Sequence, residues 1–108
     1  MPTNFATLEV SKLGELTVVS FGGREILDQV NIAACRLQIE QLVQTNGTKT
    51  LAFDLTGVRL VPSGLLGLLT SLRDLGLKIQ LFNPSVDVSE VLEITKLNKL
   101  FEIREGRP

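Results

Sequence analysis

The chain contains no histidine. That removes the commonest general base and the commonest metal ligand, so no Ser-His-Asp triad can be assembled within it. A single cysteine, Cys35, excludes an internal disulfide, and without histidine beside it no tightly held zinc site is expected. An excess of either charge is missing too. Eleven Lys and Arg stand against 12 Asp and Glu, for a net charge of −1. This is not the basic balance usual in proteins that bind nucleic acid. No apolar run approaches the roughly 18 residues of a membrane span. The opening residues, MPTNFATLEV, lack the basic and then apolar regions of a signal peptide. A cytoplasmic protein with no membrane insertion is expected.

What is present fits one ordinary domain. The 108 residues are 44% hydrophobic and 21% charged, enough for a single modest core and too apolar for disorder. One domain over 1–108, with a core at about 6–104, is expected. ATLEVSKLGELTVVSFGG reads as a β-hairpin turning at KLGE and ending at Gly22-Gly23. LDQVNIAACRLQIEQLVQTNG reads as a helix with Ile32, Cys35, Ile39, Leu42 and Val43 on one stripe, stopped by Asn46-Gly47. Val30 and Leu37 lie off that stripe. TKTLAFDL is a short apolar strand suited to a central position. From Ser63, Leu65, Leu68, Leu69, Leu72 and Leu75 form a second helical stripe. LKIQLF alternates as a strand, NPS turns, and DVSEVLEITKLNKLF is a third helix carried by Val88, Val91, Leu92 and Thr95. FEIRE is a last strand or extended tail, and GRP a loose end. Strands alternating with helices predict an α/β fold. Its sheet should be mixed, with an antiparallel N-terminal hairpin followed by parallel strands, and about three main helices should pack on it.

Most of the possible chemistry gathers at DLTGVRLVPSGLLGLL, residues 54–69. Ser63 stands where a strand gives way to a helix. As an N-cap its oxygen would accept from an amide of the first turn, worth roughly 0.5–2 kcal/mol. As a nucleophile it would need the G-x-S-x-G elbow. VPSGL lacks both glycines of that pattern, and there is no histidine base. Asp54, at the end of the strand, suits an Asx-turn with Thr56 or Gly57. No second acidic residue stands near it to make a metal cluster. Cys35 on the helical stripe reads as buried and inert. Glu90 and Glu93 belong to a solvated face, and Gly22-Gly23 is not a phosphate loop, because no Lys-Ser or Lys-Thr helix start follows it.

From about Leu51 to Ile103 the sequence resembles the STAS domain family, the fold of anti-sigma factor antagonists. The family pattern runs from a strand ending in Asp, through Val, to an Asp-Ser-Ser-Gly turn that opens a helix. Asp54-Leu55-Thr56, Val58 and VPSGLLGLL stand in those places. NPSVDVSEVLEITKLNKLFEI resembles the family's closing signature, with Leu92, Thr95, Leu97, Leu100, Phe101 and Ile103 at the matching spacing. There is one departure. Aligned without gaps, the family's Asp falls on Pro62, its first Ser on Ser63 and its acceptor Ser on Gly64. A one-residue deletion instead places Ser63 on the acceptor. In both alignments the acidic residue is missing.

The resemblance implies a binding module rather than an enzyme, with no cofactor or metal. It would be a bacterial transcription regulator that works by partner switching. Such a protein binds an anti-sigma factor that is also a serine kinase, the kinase phosphorylates the turn serine, and a serine phosphatase resets it. Ser63 is then the expected phosphorylation site. Its fellow partner-binding residues are expected to be Asp54, Thr56, Pro62, Gly64, Leu66, Gly67 and Thr70. With the core stripe at Leu65, Leu69 and Leu72, helical geometry sends Ser63, Leu66, Gly67 and Thr70 to the opposite side as a small docking patch. A monomer or weak homodimer is expected. The altered turn leaves a second reading open, an unswitched interaction module in a scaffold or transport complex. A third, a small-molecule site in the strand-end crevice near Asp54, has little catalytic equipment to support it.

Overall fold

The computed structural model describes residues 8–21, 27 and 31–108. Five strands form one mixed sheet in the order β1-β2-β3-β4-β5. β1 (Glu9–Lys12) and β2 (Leu16–Ser20) are the antiparallel hairpin. β3 (Thr50–Asp54), β4 (Lys78–Phe82) and β5 (Glu102–Arg104) add to β2 in parallel. The crossovers are α1 (Ile32–Asn46), α2 (Ser63–Asp74) and α3 (Val86–Ile94), the last followed by a 3₁₀ turn at Leu97–Lys99. Strands laid down in sequence order by right-handed crossovers put every connecting helix on one face. The core agrees: Cys35 and Ile39 of α1, Leu65, Leu69 and Leu72 of α2, and Val88 and Leu92 of α3 share one buried cluster with Val19, Leu51, Phe53, Ile79 and Leu81. The period of two sends Val18, Ala52 and Phe82 to the other face, with Leu16 against them.

The expected α/β architecture is therefore the observed one, with corrections at the ends of elements. α1 starts at Ile32 and not at Leu27. Asn31 is its cap, its Oδ1 accepting from the Ala34 N–H at 2.9 Å, and Leu27 instead donates its N–H to the Leu60 carbonyl at 3.1 Å. Gly47, left-handed at φ 63°, ends the helix as expected. Leu37 is exposed. Gly22, Gly23 and Val30 lie outside the described residues. In α2, Leu75 is 70% exposed, because the helix ends at Asp74 and the stripe ends with it.

The third helix is shorter than its pattern. It closes at Ile94, where the Thr95 N–H and the Thr95 hydroxyl both donate to the Val91 carbonyl, at 3.0 and 2.7 Å. Lys96 then turns left-handed at φ 62°, which brings Leu97 and Phe101 back onto the core. Val91 and Thr95, expected on the core stripe, are exposed. The tail is tied at Gly106 and not loose there: its N–H donates to Asn83 Oδ1 at 2.9 Å, and Asn83 Nδ2 donates to its carbonyl at 2.7 Å.

Candidate functional site

β3 is buried on both faces and delivers Asp54 to the C-terminal edge of the parallel strands, where open α/β sheets place their sites. There Asp54 forms the expected Asx-turn. Its Oδ1 accepts from the Thr56 N–H at 3.0 Å and from the Thr56 hydroxyl at 2.6 Å. Val58 closes the turn by donating to the Leu55 carbonyl at 2.9 Å, and both side chains are buried as anchors. The turn is also held from the side. Asn83, just past β4 and left-handed at φ 58°, donates from Nδ2 to Thr56 Oγ1 at 3.0 Å. One chain of hydrogen bonds thus links Asp54, Thr56, Asn83 and Gly106 across the strand ends. Sequence reasoning missed Asn83 and Gly106, whose only signal was the Asn-Pro-Ser turn and whose partners are 23 to 27 residues away.

From this turn the chain runs through exposed Arg59 and Leu60 to the start of α2. Pro62, at φ −71° and ψ 152°, occupies the N-cap, and no side chain caps the helix. Ser63 is therefore the first helical residue and not the cap. At that position its side chain is exposed and makes no hydrogen bond among the described residues, which removes the capping role. The proline side chain offers no acceptor, and the first turn holds no acidic residue. The first amides of α2 and the positive end of its dipole are thus uncompensated by any side chain.

The residues expected to form a docking patch are exposed only in part. Ser63, Gly64 and Gly67 are exposed, and Pro62 and Thr70 are half-buried. Leu66 is buried at 7% exposure and belongs to the core cluster. It does not point outward, so it cannot serve as an apolar docking residue. Leu66 sits about 100° round α2 from Leu65, so the buried arc of α2 is wider than the stripe of Leu65, Leu69 and Leu72. A Cβ on Gly64 would meet Ile32 Cγ1 of α1 at 3.4 Å. Gly67 by contrast faces open space, with nothing within 4 Å of a Cβ built there. The Thr70 hydroxyl is spent on the Leu66 carbonyl at 3.0 Å.

Chemistry elsewhere is sparse. Cys35 is buried in the core, as expected. Among the described residues no group of three or more Cys, Asp or Glu is arranged to hold a metal ion, and no helix is long and apolar enough to cross a membrane. A cavity of about 420 Å³ opens between the last turns of α1 and α2, lined by Val43, Gln44, Leu72 and Leu77. It lies at the other end of the strands from Asp54, so it does not support a ligand crevice beside that residue.

Comparison with known proteins adds a family. The model of the STAS domain family matches residues 7–107. No curated protein matches the sequence. An anti-sigma factor antagonist (STAS) domain protein from Planctomyces limnophilus has a similar structure, with a TM-score of 0.78 at 19% identity over 94% of this chain and 92% of that one. The anti-sigma factor antagonist SpoIIAA in its unphosphorylated form gives a TM-score of 0.75 at 17% identity over 93% and 88%. The Bacillus cell fate determinant SpoIIAA in its phosphorylated form gives 0.65 at 18% identity over 93% and 91%. At such identities the likeness is one of fold.

Proposed function

The chain belongs to the STAS domain family, and on that premise we propose that it is an anti-sigma factor antagonist-like binding module, switched by phosphorylation of Ser63. Its partner in this reading is an anti-sigma factor that is also a serine kinase, with a serine phosphatase to reverse the modification. The chain supplies the acceptor and the docking surface, and the catalysis belongs to the partners. One observation carries the proposal: Ser63 is an exposed hydroxyl, without a hydrogen-bond partner among the described residues, on the first turn of an uncapped helix. A kinase can reach it without opening the fold. A phosphate there would bring about −1.5 to −2 charges to bare amides and a favourable dipole. The domain would tolerate it, whereas a partner packed over the helix start would have to bury or repel it. The docking surface in this reading comprises Asp54, Thr56, Pro62, Ser63, Gly64, Gly67 and Thr70, with Leu66 left out.

The test is incubation with an anti-sigma factor kinase and ATP, followed by mass spectrometry. Phosphate on Ser63, lost in Ser63→Ala, is expected. Phosphate found only elsewhere would refute the site. Pro62, where the family has an acidic residue, favours a second reading as an unswitched module in a scaffold or transport complex. That reading predicts tight partner binding by a protein that resists phosphorylation.

A further inference from the structure

The two edges of the sheet differ. β1 carries an irregularity between Val10 and Lys12, the kind of bulge that twists an edge away from further pairing. β5 keeps an unbroken register with β4: Gln80 with Glu102, Leu81 with Ile103, Phe82 with Arg104. Among the described residues no strand lies on its outer side. The ladder decides which backbone groups face outward. Asn83 donates its N–H to the Arg104 carbonyl at 2.8 Å, so Arg104 turns its backbone groups toward β4, and so does Glu102 two residues earlier. Alternate residues do this in a parallel pair, which leaves the Ile103 N–H and C=O on the outer side. The Ile103 side chain is itself 40% exposed.

We propose that β5 is a pairing edge for a second copy of this chain, joined antiparallel about a two-fold axis at Ile103. In that register the two Ile103 residues exchange both of their outward hydrogen bonds, and the two sheets become continuous. Charge selects the register. Centred on Ile103, Glu102 of each copy lies opposite Arg104 of the other. Sliding to the neighbouring hydrogen-bonding registers sets Glu102 against Glu102, or Arg104 against Arg104, and like charges directly opposite are destabilising. Both side chains project from the helix-free face, where Glu102 already meets Lys78 Nζ and Arg104 Nη2, each at 2.8 Å. The edge is thus self-complementary in one register only. The proposal stands apart from Ser63 and does not rest on the switch.

Sedimentation velocity over a concentration series of the full chain tests it. The wild type is expected to pass from monomer to dimer as concentration rises. Glu102→Arg and Arg104→Glu should each weaken association by roughly tenfold or more, since each turns two attractive cross-strand pairs into repulsive ones. Mixed in equal amounts they should recover it, because a heterodimer restores both opposite pairs. Ile103→Pro should abolish dimerisation while the ladder to β4 survives, because it removes only the outward N–H. That variant, checked by circular dichroism, decides the matter if a charge reversal fails to fold. A wild type that stays monomeric to millimolar concentration would overturn the proposal, as would a mixture no better than its components or undiminished dimerisation of Ile103→Pro.

Discussion

Ser63 and Leu66 stand one turn apart on α2, one open to solvent and the other packed in the core. Their periodicity places both on the outer side, and only the packing of the fold separates them. Leu66→Ala should therefore cost about 2–4 kcal/mol in urea unfolding, as a core truncation does. A surface leucine would cost less than about 0.5 kcal/mol. Asn83 teaches the opposite lesson. It holds a left-handed backbone and bonds to Thr56 and Gly106, and its neighbours announce a turn but not these partners. The Asp54 turn was legible because its partner is two residues away, whereas the partners of Asn83 are distant and found only in the fold. Asn83→Ala should lose roughly 1–3 kcal/mol and free the tail. The check is limited trypsin digestion, with faster cleavage after Arg104 expected.

At the scale of elements, the start of α2 and the edge at β5 both carry a measurable signature. α2 begins behind a proline that cannot cap it. Pro62→Asp keeps an extended N-cap conformation and adds the missing acceptor near the positive end of the dipole. It should raise stability by about 0.5–1 kcal/mol after the lost rigidity of proline is set against the cap, seen as a higher melting temperature. On β5, the Lys78 ammonium, then the Arg104 guanidinium, hold the Glu102 carboxyl at about 2 against an ordinary 4.5. A depressed folded value means that this contribution is present above about pH 4.5 and lost as pH falls toward 2. Glu102→Gln should flatten that part of the acid-unfolding curve. The difference should be modest and shrink in high salt, since the group is partly exposed.

For the whole molecule, the switch reading requires a fixed domain and a changed surface. Ser63→Asp should leave the melting temperature and far-UV circular dichroism close to those of the wild type while weakening partner binding; loss of fold in that variant would contradict the reading. The order of strands and helices, the apolar stripes of α1 and α2, the Asx-turn and the absence of any histidine-based chemistry were determined by the sequence alone. Their causes are local: side chains two, three or four residues apart settle the period, and composition settles what is missing. The depth of Leu66, the turn at Lys96 that shortens α3, the tether at Asn83 and the outward face of Ile103 were decided only by tertiary structure. Each depends on which element lies alongside, and that neighbour comes from a distant part of the chain, where packing and ladder geometry act and local periodicity carries no information.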